Sequence, residues 1–190
     1  MYTVENNENI IIINKSKFIT NIYSVDNIDE VNKYLDLIKN KYKDATHHCY
    51  AYIIDNIKRF NDDNEPSGTA GMPILECLEK NNLNHVLCIV TRYFGGIKLG
   101  TGGLVRAYTS STSKIIENTN KLEIIKGYNC DIKFNYSMIK KIDKILEKYE
   151  VLNKIFGSTI IYNVNIDDEM LFKLNDIDVK ILKEIIIKKP

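Results

Sequence analysis

The chain has 190 residues, of which 44% are apolar and 27% charged, and this is enough for one large core or two small ones without disulfides or metals. A formal net charge of +1 argues against the strong overall field of dedicated nucleic-acid-binding proteins, although local basic patches remain open. The N-terminus lacks a basic stretch followed by an apolar one, and no apolar run approaches the roughly 20 residues that span a bilayer, so we expect a cytoplasmic protein without a membrane partner.

The first part of the chain predicts a mixture of strands and helices. Apolar runs at 10–13 and 18–25 flank a polar turn at 14–16 and predict two paired strands. Apolar residues three, four and seven positions apart predict a helix over 31–42. The predicted elements that follow are a strand at 49–54, a polar loop at 61–71, a helix opening at Pro73, a strand at 86–93, a helix at 104–118 and a strand at 122–125.

The last 60 or so residues predict a smaller unit of strands and helices. Gly127 is predicted to be a hinge, and the elements after it are a strand at 130–134, a helical stripe at 139–149, an alternating strand at 160–166, a short helix from about Asp167 and a strand at 179–187. This order is typical of a ferredoxin-like βαββαβ sandwich. The prediction is therefore an α+β protein with two domains, 1–126 and 127–190.

Three segments carry residues that core packing alone does not explain. We call them the histidine segment (45–52, ATHHCYAY), the acidic loop (61–73, NDDNEPSGTAGMP) and the glycine-rich segment (91–108, TRYFGGIKLGTGGLVRAY). The four cysteines form no CxxC pair, so they predict buried thiols rather than a zinc or redox motif.

The glycine-rich segment predicts a site for a phosphate or carboxylate. Its glycines are costly unless the backbone turns sharply or approaches something closely, and the helix that begins there offers free amides beside basic side chains. The predicted ligand-binding or nucleic-acid-binding residues are Arg92, Tyr93, Gly95, Gly96, Lys98, Gly100, Gly102, Gly103 and Arg106. The alternative is a tight structural connection with Arg92 and Arg106 paired to carboxylates of the acidic loop. Neither GxxxxGK[ST] nor GxGxxG occurs, so we expect no nucleotide hydrolysis and no cofactor.

The acidic loop and the histidine segment offer weaker catalytic candidates. Asp62, Asp63 and Glu65 bring three carboxylates within four residues, and His47 or His48 could face them across a cleft. The carboxylate spacing is not that of a calcium loop, and adjacent histidines on an extended chain point to opposite faces. We therefore predict no metal site, and acid/base chemistry remains the alternative to binding.

Taken together, the motifs HHCYAY, DDNEPSGTAGMPIL and VTRYFGGIKLGTGGLVRAY resemble those of the IMPACT/YigZ family. The resemblance covers about residues 15–120, and the last part of the chain is similar to the second domain of bacterial members. The family pattern has glycine where Asn64 stands here. Because asparagine tolerates left-handed backbone angles better than other non-glycine residues, we expect the turn to survive.

The resemblance implies an N-terminal α/β domain like the second domain of a small-subunit ribosomal protein, and a C-terminal domain like the last domain of elongation factor G. It also implies a role in translation, through binding of RNA or the ribosome, without established catalytic residues. Three hypotheses follow: a regulator that binds nucleic acid through Arg92, Lys98 and Arg106, an enzyme for a small phosphorylated or peptide-like substrate, and a docking module for a protein partner.

Overall fold

A computed structural model describes residues 1–189, which form two compact units, unit 1 (Met1–Glu123) and unit 2 (Ile124–Lys189). The strands of unit 1 are β1 (Tyr2–Val4), β2 (Asn7–Ile13), β3 (Ser16–Ser24), β4 (His47–Ile54), β5 (Ile57–Asn61) and β6 (Val86–Tyr93). Its helices are α1 (Ile28–Lys41), α2 (Gly71–Lys80) and α3 (Gly100–Glu117).

Unit 1 is built on a five-stranded sheet in the order β2-β3-β6-β4-β5, with every neighbouring pair antiparallel. Its central strand β6 is almost fully buried, and its side chains alternate between the two faces. Val86, Cys88 and Val90 pack with α2 and α3, whereas Leu87 and Ile89 pack with α1. The sheet is therefore covered by helices on both faces, which is why β6 is a continuous apolar run in the sequence.

The predicted pair of strands around residues 14–16 is confirmed as the hairpin of β2 and β3. Ile13 pairs with Ser16, which leaves Asn14 and Lys15 as a two-residue turn. Both turn residues have positive φ angles, 44° and 64°, as a type I′ turn requires.

Unit 2 confirms the ferredoxin-like order. Strand β7 (Lys121–Phe134) begins in unit 1, where it pairs with β1, and continues into unit 2. The following elements are a 3-10 turn (Tyr136–Met138), α4 (Ile139–Ile145), β8 (Glu150–Phe156), β9 (Ile160–Asp167), α5 (Asp168–Lys173) and β10 (Asp178–Lys189). Strand β7 lies between β9 and β10, and β8 lies outside β9, which gives the 4-1-3-2 order of a βαββαβ sheet.

Several details differ from the prediction. The sequence predicts no strand at β1, β5 or β8. The five residues of β5 form an edge strand and are all exposed. Gly127, predicted as a hinge between two strands, lies within the single continuous strand β7, opposite Asp167. A side chain there would collide with Ile187, so the close approach of that side chain explains the glycine.

His85 is a buried histidine of unit 1 that gives a pH-dependent prediction. Its Nε2 lies 3.0 Å from Asp55 Oδ1 and its Nδ1 lies 3.7 Å from Asp26 Oδ1. Burial opposes the charged form, but the hydrogen bonds and charges of the two aspartates outweigh it, so the pKa of His85 is raised. The stabilisation is thus complete below the unfolded pKa of about 6.5 and is lost as pH rises through the folded pKa.

We therefore expect His85→Gln to lower the free energy of unfolding more at about pH 5.5 than at about pH 8.5. Urea denaturation of both proteins at the two pH values measures the difference. An equal loss at both would show that His85 contributes by packing alone.

Candidate functional site

Asp62 of the acidic loop caps helix α2. Its Oδ1 accepts hydrogen bonds from the backbone amides of Ala70 (3.0 Å) and Gly71 (2.8 Å), and its Oδ2 accepts one from Gly68 (2.8 Å). These amides lie at the start of the helix and have no helical partners of their own. The carboxylate therefore anchors the acidic loop to the start of α2.

Asp63 anchors the acidic loop to the histidine segment. Its Oδ2 accepts a hydrogen bond of 2.6 Å from the backbone amide of His48. Asp63 and Asn64 both have positive φ angles, 42° and 67°, which confirms that asparagine supports the turn. The His48 ring lies 3.2 Å from Thr91 Oγ1, and burial lowers its pKa. Asp63 and His48 are thus held by structural contacts.

Glu65 of the acidic loop and Arg92 of the glycine-rich segment form a buried ion pair. The carboxylate is 8% exposed and the guanidinium residue 4%, and Arg92 Nη1 donates to Glu65 Oε1 at 2.6 Å. The Tyr108 hydroxyl donates to the same oxygen at 2.8 Å. Arg92 is therefore not a surface cation, which corrects its prediction as a phosphate contact and confirms for this residue the alternative of pairing with the acidic loop.

Ser16 and Cys49 extend this buried cluster. Arg92 Nη2 and the backbone amide of Gly95 both donate to Ser16 Oγ, each at 3.2 Å. The Cys49 thiol donates to the carbonyl of Asp62 at 3.0 Å and lies 3.3 Å from the Tyr108 hydroxyl. Burial raises the pKa values of Cys49 and Tyr108 above their ordinary ranges, so both remain protonated at neutral pH. The Glu65–Arg92–Tyr108–Ser16 cluster thus links three chain segments through the interior.

His47 is the one histidine that faces Glu65. Its Nδ1 lies 2.7 Å from the carbonyl oxygen of Asp63, which can only accept, so Nδ1 carries the proton. Its Nε2 is 3.8 Å from Glu65 Oε1. Of the predicted catalytic set, the structure brings together His47 and Glu65, whereas Asp62, Asp63 and His48 make structural contacts.

The glycines of the glycine-rich segment serve two local needs. A side chain at Gly95 would overlap the backbone of Lys15 and Ser16, so the loop can pass the β2–β3 turn only with glycine there. Gly96 and Gly100 have φ angles of 82° and 70°, in the left-handed region. These angles allow the loop to turn back, so that Gly102 and Gly103 lie in the first turn of α3.

The start of α3 is open and borders a cavity. Within residues 1–189 no side chain caps its first amides, whereas Asn27 caps α1 and Asp62 caps α2. The adjoining cavity has a volume of about 340 Å³ and is lined by Ile13, Asn14, Leu99, Gly103, Arg106, Ala107 and Ser110.

The two basic residues predicted beside this helix start are on the surface. Lys98 and Arg106 are exposed, and neither makes an ion pair within residues 1–189. Tyr93 is half-buried, and its hydroxyl donates to Asp44 Oδ1 at 2.8 Å. Of the predicted binding residues, Lys98, Gly100, Gly102, Gly103 and Arg106 therefore share one exposed region.

Tyr108 and Ser16 are members of the buried cluster that the sequence did not identify. Tyr108 is fully buried. Its position in α3, on the same side as Leu104 and Ala107, was the available signal, because helical spacing places all three toward the core. No comparable signal existed for Ser16, which lies just after a turn.

No helix within residues 1–189 is long and apolar enough to cross a membrane. Within the same range, no group of three or more histidine, cysteine, aspartate or glutamate side chains is placed to hold a metal ion.

The chain is similar to known proteins both in sequence and in structure. Residues 14–116 match the Impact N-terminal domain. The chain is 40% identical over 168 residues to the IMPACT family member YvyE of Bacillus subtilis, covering 87% of this chain and 76% of that protein. It is 29% identical over 159 residues to the IMPACT family member YigZ of Escherichia coli, covering 80% and 78%. A crystal structure described as a hypothetical protein matches with a TM-score of 0.66 and 25% identity, over 96% of this chain and 97% of the other.

Proposed function

The chain belongs to the IMPACT family, and from this premise we propose that it is a cytoplasmic, translation-linked regulatory protein that binds the phosphates of RNA, free or in the ribosome. The translation-linked role is what family membership implies. The binding surface is proposed from the geometry of unit 1. We call it the phosphate-facing region and define it as Lys98, Gly100, Gly102, Gly103 and Arg106.

The uncapped start of α3 beside two free cations carries this proposal. An exposed helix N-terminus has backbone amides without partners and a partial positive charge, and both favour an anion. Arg106 in the cavity wall adds a full positive charge beside this first turn, and Lys98 adds a second in the loop that precedes the helix. The region combines charge with backbone donors but lacks a base-reading pattern, so we expect binding that depends on phosphate rather than on sequence.

The buried Glu65–Arg92–Tyr108–Ser16 cluster fixes the position of the loop that carries Lys98. Ser16 Oγ accepts from both the Arg92 guanidinium and the Gly95 amide, so the Glu65–Arg92 ion pair is connected to the loop that presents Lys98. Arg92 contributes by positioning this loop, without contact to the ligand. The sequence predicts three basic residues that contact phosphate, namely Arg92, Lys98 and Arg106. Because Arg92 is buried, the proposed contacts are made by Lys98 and Arg106.

We expect the Lys98→Ala/Arg106→Ala variant to bind RNA and ribosomes on the order of tenfold more weakly than the wild type, because two phosphate contacts are removed. Fluorescence anisotropy with short single-stranded and duplex RNA, and filter binding with ribosomes, measure the change. The loss should be similar for every RNA sequence, since phosphate contacts carry no sequence information.

Arg59→Ala is the matched control. Arg59 is an exposed arginine on β5, at the opposite edge of the sheet from β2, and its guanidinium bonds only the neighbouring carbonyl of Lys58. Its removal changes net charge without touching the phosphate-facing region. Equal weakening by Arg59→Ala and Arg106→Ala would show that overall charge, and not this region, drives binding.

The enzyme hypothesis keeps one supporting observation, the orientation of His47. Its Nδ1 donates to the Asp63 carbonyl, which turns its Nε2 toward Glu65 Oε1 at 3.8 Å. Titration with inorganic phosphate, followed by NMR, separates the two proposals. Shifts centred on His47 would favour the enzyme, whereas shifts confined to the phosphate-facing region would favour the regulator.

A further inference from the structure

Phe94 is an exposed aromatic side chain at the start of the loop between β6 and α3. It is 47% exposed, although the strand before it is almost fully buried. Single exposed apolar residues are common on protein surfaces, so exposure alone does not identify a site. What distinguishes Phe94 is that its ring is held in place beside positive charge.

The Phe94 ring is fixed by its own backbone and by Arg92. The Phe94 amide donates to Thr46 Oγ1 at 3.0 Å. The central carbon of the Arg92 guanidinium lies 5.6 Å from the centroid of the ring, within the range of a cation–π contact. Arg92 is itself held by Glu65 and Ser16. The ring is therefore already ordered, so little side-chain entropy is lost when a flat ligand covers it.

The ring lies on the same side of the unit 1 sheet as α3. Arg92 and Tyr108 of α3 both donate to one oxygen of Glu65, so the guanidinium points to the α3 face of the sheet. Phe94 packs against that guanidinium, and Lys98 follows it by four residues in the loop that leads into α3. Phe94 and the phosphate-facing region are therefore parts of one continuous surface.

Positive charge accompanies the ring. Lys15 of the β2–β3 turn lies against Gly95, where a side chain would overlap the Lys15 backbone. Lys15 and Lys98 are exposed, and neither makes an ion pair within residues 1–189. An exposed ring beside such cations suits a chain of flat rings joined by phosphates, which is the chemistry of a nucleic acid with unpaired bases. A duplex keeps its bases stacked on one another, so it offers no base face along its length.

We propose that Phe94 stacks on an unpaired base, so that the RNA is single-stranded where it crosses this loop. The inference rests on the proposed function, in which Lys98 and Arg106 contact the phosphates. The neighbouring Tyr93 does not share this role, because its hydroxyl is engaged by Asp44. Every base has an aromatic face, so stacking adds affinity without a strong sequence preference.

The chain contains no tryptophan, so Phe94→Trp places a single fluorescent reporter at the proposed stacking position. We expect short single-stranded RNA to quench this fluorescence saturably, as a base covers the indole ring. The matched control is Phe60→Trp, at a 40% exposed position on β5, the opposite edge strand from β2, where we expect no quenching.

Affinity measurements on further variants separate stacking from general apolar contact. Phe94→Ala and Phe94→Leu should each bind single-stranded RNA on the order of tenfold more weakly than the wild type, whereas Phe94→Tyr should retain the affinity. The affinity for a long blunt duplex should be the same in all of these proteins. Phe60→Ala should bind both RNAs as the wild type does.

The outcomes distinguish this inference from the proposed function. Stacking releases no counterions, so Phe94→Ala should keep the wild-type slope of log affinity against log salt, which Lys98→Ala/Arg106→Ala lowers. Unchanged single-strand affinity in Phe94→Ala, an equal loss for single strand and duplex, or equal quenching in Phe60→Trp would overturn the stacking role and leave the phosphate contacts standing. A wild-type protein that binds no RNA would overturn both.

Discussion

Replacing Glu65 with alanine is expected to lower the free energy of unfolding by about 3–5 kcal/mol. The variant leaves the Arg92 guanidinium buried without its carboxylate and the Tyr108 hydroxyl without its acceptor. A buried charge without a partner costs far more than the net stability that the intact pair supplies. Equilibrium denaturation in urea at neutral pH measures the loss.

The matched control is Glu76→Ala, which removes an exposed carboxylate 3.7 Å from Lys80. That change should cost less than about 1 kcal/mol, since exposed ion pairs contribute little. Replacing both buried partners, as Glu65→Leu/Arg92→Met, should destabilise less than the sum of the two single changes. A loss below about 1 kcal/mol for Glu65→Ala would mean that water solvates Arg92 and that the pair is not a structural link.

Gly95→Ala is expected to destabilise unit 1 by about 3 kcal/mol or more, which is at the upper end of overpacking effects. The added methyl group would overlap the backbone of Lys15 and Ser16, and backbone atoms cannot move aside as a flexible side chain can. Because Gly95 N also donates to Ser16 Oγ, the same change should displace the loop that carries Lys98. Thermal and urea unfolding measure the stability change.

Gly102→Ala is the control for this substitution within the same segment. A methyl group there meets only Arg106 Nη1, at 3.6 Å, and its backbone angles suit any residue. Alanine also favours the helix, so the change should lie between neutral and slightly stabilising. Similar destabilisation by both substitutions would indicate that the segment needs flexibility at every glycine, and not space at Gly95.

The secondary-structure elements that define the fold class could be predicted where their apolar residues follow a local pattern. The alternation along 160–166 and the helical stripe at 139–149 identify elements of unit 2 without knowledge of their partners. The edge strand β5 was missed because it has no alternation, as all five of its residues are exposed. Gly127 was misinterpreted for a different reason. Glycine is needed at this position because the Ile187 side chain approaches it closely across the sheet, and no local sequence pattern shows such a contact.

The sequence predicted which residues lie at the candidate site but not what each of them does there. Arg92 lies near the end of β6, the most buried strand, and its partner Glu65 comes from a loop 27 residues earlier. Sequence spacing cannot show whether such an arginine pairs inside or faces solvent. Lys98 and Arg106 are exposed and make no ion pair within residues 1–189, which is again a property of the folded chain.

The acidic loop shows how three neighbouring carboxylates acquire separate structural roles. Asp62 caps a helix, Asp63 holds the histidine segment, and Glu65 accepts bonds from the buried arginine and tyrosine. All three contacts fix the position of backbone that surrounds the glycine-rich segment. A charge cluster in a sequence can therefore reflect the anchoring of a site as readily as its chemistry.

The salt dependence of RNA binding tests the proposed function most directly. Anisotropy titrations at several salt concentrations give the slope of log affinity against log salt for wild type and for Lys98→Ala/Arg106→Ala. We predict saturable binding whose slope becomes shallower by about two in the variant, about one for each lost phosphate contact. No binding to RNA or ribosomes, or an unchanged slope in the variant, would contradict the assignment of the phosphate-facing region.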